Sequence, residues 1–147
     1  MDTARKLTRS ASKPRQTDLK RAVSTTYYAM FNFLARECAD LFIGSTGAAR
    51  KSLPWVQVHR ALEHGLAKNG CGQVRALGFP TKIVRFADLF ISMQEERHNA
   101  DYDPWSRYTR TEVIGLIGTV DQTIKDFRSS PRTDRLAFAT LVLLRKR

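Results

Sequence analysis

The 147-residue chain holds two cysteines, Cys38 and Cys71, one within a helical pattern and one in a glycine-containing stretch. Neither a disulfide framework nor a four-cysteine zinc site can be built from them, and a reducing cytoplasm is the expected setting. Long apolar runs are also missing. The longest, Leu136 to Leu144 with Thr140 inside it, is roughly half of what a bilayer span needs. The first eighteen residues are polar, so no secretory signal is expected there. No Gly-x-x-x-x-Gly-Lys loop, Gly-x-Gly-x-x-Gly turn, His-Glu-x-x-His pair or Gly-x-Ser-x-Gly elbow occurs. The common ATPase, dehydrogenase, zinc-protease and serine-hydrolase readings therefore lose their usual support. Histidine is scarce too. His59 and His64 stand five apart, off the spacing for a shared helical face, so no metal site is expected of them and no cofactor is called for.

Acidic residues are the remaining shortage: 14 Asp and Glu face 25 Lys and Arg, a net charge of +11. The surplus is terminal. Residues 1–21 carry seven basic and two acidic side chains, residues 128–147 six and one, and the stretch between is nearly neutral. Basic ends of this kind grip polyanions by releasing counterions, with strong salt dependence and modest specificity. They also solubilise, and Arg or Lys at a helix C-terminus offsets its partial negative charge.

What is present is enough apolar residue for one core, 42% of the chain, arranged at helical spacing. Leu19, Val23, Thr26, Met30, Leu34, Cys38 and Leu41 predict one long helix from Asp18, ended by Gly44. Ala22, Tyr27 and Phe31 widen its apolar face enough to meet two neighbours. Ser52 ahead of Leu53-Pro54 predicts a second helix from Pro54 to about Ala67. A loop follows over Lys68 to Pro80. Thr81 is placed to cap a third helix with Phe86, Phe90 and Met93 on its stripe, stopped by Asp-Tyr-Asp-Pro at 101–104. A fourth, from about Thr111 to Phe127, buries Val113, Ile117, Val120, Ile124 and Phe127, and Ser130-Pro131 opens a fifth. The expected fold class is all-α, an up-and-down bundle of four main helices plus a C-terminal one, with residues 1–14 as a basic flexible arm.

Continuing the stripe of the third helix lands on Arg97 and Ala100. A guanidinium cannot shed its proton, so on an apolar face it needs a carboxylate, a phosphate or carbonyls. An interhelical ion pair with Glu37 or Asp40 is the structural answer; a groove arginine open to phosphate is the functional one. Around it crowd Glu95, Glu96, His98, Asn99, Asp101, Tyr102 and Asp103. Paired carboxylates also serve glycoside hydrolysis or divalent metals, but those need side chains converging from separate elements. On the long helix Arg21, Thr25, Tyr28, Asn32 and Arg36 form a polar stripe beside the apolar one, where Tyr27-Tyr28 could stack a base.

Two segments taken together carry a family resemblance: Ala22-Val23-Ser24-Thr25-Thr26-Tyr27-Tyr28-Ala29-Met30-Phe31, and Glu96-Arg97-His98-Asn99-Ala100-Asp101-Tyr102-Asp103. In this order and separation they resemble the HEPN (higher eukaryotes and prokaryotes nucleotide-binding) superfamily, in its small prokaryotic branch with Tyr-Tyr-Ala-Met-Phe and Arg-x-x-Ala-Asp-Tyr motifs. The resemblance spans about residues 15–128. It implies a helical bundle, often dimeric, in toxin–antitoxin, defence or RNA-processing systems, frequently encoded beside a nucleotidyltransferase. Many such proteins are metal-independent ribonucleases whose signature is an arginine, a polar residue and a closing histidine. Arg97 and His98 match its start, but the closing histidine would fall at Tyr102, Asp103 or Pro104.

A general acid–base group is worth ~10²–10⁴-fold, so its loss implies a binding protein. RNA or nucleotide would be held by Arg97, Asn99, Asp101, Tyr28, Asn32 and Arg21, in a homodimer whose two arginines line one groove. A weak ribonuclease using Arg97 with His98 or Tyr102 is the alternative, although adjacent helical residues point about 100° apart. A module docking a nucleotidyltransferase partner is the third.

Overall fold

The computed structural model describes residues 1–9 and 15–145. Eight helices and no strand occur among them: α1 Asp2–Arg9, α2 Gln16–Phe42, α3 Gly47–Arg50, α4 Leu53–Ala61, α5 His64–Cys71, α6 Thr81–Tyr102, α7 Arg110–Arg128 and α8 Arg132–Leu143. The protein is an all-α bundle, and none of these helices is long and apolar enough to cross a membrane.

The long helix is the hub. Its twelve buried residues, from Leu19 to Leu41, touch α1, α4, α6, α7 and α8 rather than two neighbours. At its middle an aromatic core forms where Phe33 of α2, Phe86 of α6, Phe127 of α7 and Phe138 of α8 meet. The Phe86 and Phe127 rings lie 4.6 Å apart and Phe127 and Phe138 5.7 Å. Burying such a ring contributes ~1.5–3 kcal/mol by removing apolar surface from water. A second cluster at the start of α2 joins Leu19, Ala22 and Val23 to Ala100, Tyr108, Val113 and Ile117. This cluster fixes the C-terminal turns of α6 against α2, which is where Arg97 stands.

Several expectations are corrected. Residues 2–9 are helical instead of a loose arm, because Ala4 and Thr8 are small enough to bury against α2 and α7 while Arg5 pairs with Asp121. The rest of the expected arm, residues 10–14, and the terminal Lys146-Arg147 lie outside the described residues. The helix expected from Pro54 to Ala67 is two. Leu62 and Glu63 take extended angles between α4 and α5, and Leu62 is buried there. The expected loop after Lys68 begins with the last turn of α5, because Gly70 touches α8: a Cβ on it would meet the Leu141 carbonyl at 2.9 Å. Thr81 does not cap α6; Pro80 is its N-cap and no side chain bonds there. The short α3 carries an N-cap bond from the Ala49 amide to the Thr46 hydroxyl. At α7 a capping box pairs Thr109 with Glu112, satisfying two free amides and starting the helix at Arg110.

Candidate functional site

Arg97 follows Phe90 and Met93 on the inward stripe of α6, between buried Met93 of the aromatic core and buried Ala100 of the second cluster. The packing of α6 on α2 brings it to Tyr28. Its Nη2 donates to the Tyr28 hydroxyl at 2.7 Å, and the guanidinium carbon lies 5.3 Å from the Tyr28 ring and 5.7 Å from the Tyr102 ring. Both contacts are within cation–π range. Asp101, one turn on, places a carboxylate oxygen 3.0 Å from Nε. That oxygen is off the N–H direction, so buried Nε makes an ion pair and no hydrogen bond.

The expected interhelical partners are engaged elsewhere. Glu37 pairs with Arg135, and Asp40 with Arg50 and Trp55. Arg97 is thus half-neutralised by an acid of its own helix, with 22% of its side chain exposed. A cleft of about 340 Å³ opens beside it, lined by Lys68, Gln94, Glu95, Arg97, His98 and Asn99. Gln94 presents a second orphan there: its Oε1 is buried without a partner while its Nε2 donates to the His64 carbonyl at 3.4 Å.

Of the residues singled out in the sequence, the fold gathers Arg97, Asp101, Tyr28 and Tyr102. His98 joins them indirectly, its exposed ring 4.9 Å from that of Tyr102. Asn99 lines the cleft with an exposed side chain, and its carbonyl accepts from Ser106. Asn32 and Arg21 remain on α2, exposed and without contact to Arg97. Glu96 is committed to the Tyr108 hydroxyl at 2.8 Å; burial, then that carboxylate, raises the Tyr108 phenol well above its ordinary value.

Three residues here escape sequence reasoning. His64, at the start of α5, stacks on Phe31 at 4.0 Å and meets the Tyr27 hydroxyl through Nδ1 at 2.6 Å. Burial, then the charge of Arg97, lowers its pKa, so the ring is neutral near pH 7. Burial raises the Tyr27 phenol far above its usual value, and its hydroxyl has no other partner among the described residues. The phenolic proton therefore points at Nδ1, which assigns the ring proton to Nε2 and makes His64 a donor rather than a base. Lys68, one turn along α5, reaches the cleft. Trp105, 88% exposed, follows three residues after Tyr102, itself 64% exposed. Isolated surface aromatics are ordinary; these two lie five and eight residues beyond the arginine, and Tyr102 is in contact with it. Among the described residues no group of three or more His, Cys, Asp or Glu side chains is arranged to hold a metal ion.

No family model, curated protein or solved structure matches the chain.

Proposed function

We propose that the chain binds single-stranded RNA or a nucleotide phosphate at Arg97 without cleaving it, as its HEPN-like motifs imply. The observation that carries this reading is the guanidinium held against two tyrosine faces at the edge of a cleft it shares with Lys68. A phosphate would take the place Asp101 now half-fills, receiving the free donors of Arg97. Tyr102 and Trp105 offer faces for bases, and stacking of this kind is worth ~1–3 kcal/mol per base. The net charge of +11 adds long-range attraction for a polyanion. A binding role fits the absent closing histidine, and it fits His64, whose Nε2–H can donate to a phosphate oxygen while its Nδ1 is occupied by the Tyr27 hydroxyl.

The test is RNA affinity across a range of salt for the wild type and Arg97→Ala. Loss of one phosphate contact lowers the salt slope by about 0.7 for a single strand and the affinity by about tenfold. Unchanged affinity and slope overturn the reading. A ribonuclease is the second reading, favoured by the His98 and Tyr102 rings lying 4.9 Å apart beside Arg97. Incubation with mixed RNA in EDTA distinguishes it: cleavage that vanishes in both Arg97→Ala and His98→Ala establishes the enzyme.

A further inference from the structure

At the other end of α2 a polar cavity of about 390 Å³ is walled by Arg36, Arg50, Arg128 and Arg135, with Glu37 and Asp40. The four guanidinium groups come from α2, α3, α7 and α8, so only the fold assembles them. Both carboxylates are already used. Asp40 accepts from Arg50 Nε and Nη2 at 3.1 and 2.9 Å and from Trp55 Nε1 at 3.0 Å. Glu37 pairs with Arg135, whose Nε also donates to the Ser130 carbonyl at 3.0 Å. Arg36 and Arg128 make no ion pair or side-chain hydrogen bond among the described residues. Arg128 lies over the Phe33 ring at 5.1 Å, and Arg36 is exposed, close enough for its charge to act on the Asp40 carboxylate without bonding to it. Two permanent charges with their forks of donors are left facing one cavity between two rigidly tied arginines.

We propose that Arg36 and Arg128 form a second phosphate site for the same RNA strand, an inference that rests on the reading of Arg97. A phosphodiester fits the cavity because it carries a permanent negative charge on two exposed oxygens, one for each of the two guanidinium groups. The two sites share a surface. Tyr28, Asn32 and Arg36 follow one another at four-residue spacing on α2, and Asn32 is exposed between the other two. Eight residues of helix advance about 12 Å and turn about 80° about the axis, so the polar stripe leads from the Arg97 cleft to the arginine cavity on one side of the molecule. A strand along α2 would place one phosphate at Arg97, pass Asn32, and place a later one at Arg36 and Arg128.

Fluorescence anisotropy of a single-stranded oligouridylate of about eight nucleotides, read at several salt concentrations, tests this. The Arg36→Ala/Arg128→Ala double variant is expected to lose about tenfold in affinity and about 0.7 in salt slope. Arg36→Lys/Arg128→Lys keeps both charges and loses the forks, so it should keep most of the slope while still binding more weakly. Wild-type affinity in the alanine pair, with Arg97→Ala impaired, overturns the second site and leaves the first. Wild-type affinity in the lysine pair reduces the cavity to diffuse charge and likewise overturns it. Impairment of the alanine and lysine pairs with Arg97→Ala unaffected removes the Arg97 reading and retains the Arg36–Arg128 site by itself.

Discussion

Arginine is handled differently at the two ends of the α2 stripe. At Arg97 the acid is Asp101, four residues away on the same helix, and the remaining neighbours are tyrosine rings. At the other end the acids sit on α2 and their partners on other elements: Asp40 ties α2 to α3 and α4, and Glu37 ties α2 to α8. An ion pair within one helix stitches nothing together, so its acid chiefly competes with any incoming anion. An ion pair between helices is part of what sets their positions. The ion pairs of the two regions should therefore respond to mutation differently, ligand affinity changing when Arg97–Asp101 is broken and fold stability when Glu37–Arg135 or Asp40–Arg50 is.

The largest effect comes from removing what both regions share. Phe127 is fully buried and meets Phe33, Phe86 and Phe138. Phe127→Ala should cost about 3–5 kcal/mol through lost transfer energy and the cavity left behind. Urea denaturation reads it as a lower midpoint, and a loss under about 1 kcal/mol would mean that the aromatic junction does not hold α7 and α8 in place.

The contrast itself is sharpened by two acids. Glu37→Ala leaves Arg135, 22% exposed in its side chain, with only the Ser130 carbonyl among the described residues, and should destabilise by about 1–3 kcal/mol. Asp101→Asn should change stability by no more than ~1 kcal/mol, as exposed pairs do, while RNA binds about two- to fivefold more tightly because a competing charge is gone. Weaker RNA binding by Asp101→Asn would show that the carboxylate positions Arg97 instead of opposing the ligand.

The same contrast explains what could be read in advance. The helices α2, α6, α7 and α8 follow apolar residues at three- and four-residue spacing, a signal carried within each segment. The first helix escapes that signal because it buries Ala4 and Thr8, residues that also suit a solvated arm. The break at Leu62-Glu63 has no glycine or proline to announce it, and Gly70 stands where α8 comes close, although Asn69-Gly70 reads as a turn. The Arg97 site was legible because Arg97, Asp101 and Tyr102 lie within six residues and Tyr28 sits in the other motif. The sequence offers Glu37 or Asp40 as interhelical partners for Arg97, but Arg135 and Arg50 take them and Arg97 pairs with Asp101. The cavity around Arg36 and Arg128 is assembled from four helices, and no local pattern encodes such a meeting.

The smallest effect ties Arg97 to a proton. Burial and the Arg97 charge hold the His64 pKa below its ordinary value, with the Tyr27 hydroxyl on Nδ1 as the only hydrogen bond to its ring among the described residues. In the unfolded chain this histidine takes up a proton near pH 6.5, and in the native protein only at lower pH. Between those values the unfolded state binds more protons, so stability is complete above about pH 6.5 and declines as pH falls towards the native pKa. His64→Gln should remove that part of the decline below about pH 6.5, measured as the difference in urea midpoint from the wild type. A phosphate bound at Arg97 would cancel the second of the two pressures on the ring and raise its pKa towards normal. Binding should then take up a fraction of a proton below about pH 6.5 and strengthen as pH falls, whereas binding confined to Arg36 and Arg128 would leave His64 untouched. Calorimetry in two buffers of different ionisation heat measures the uptake directly, and an uptake identical in wild type and His64→Gln would place the bound anion away from Arg97.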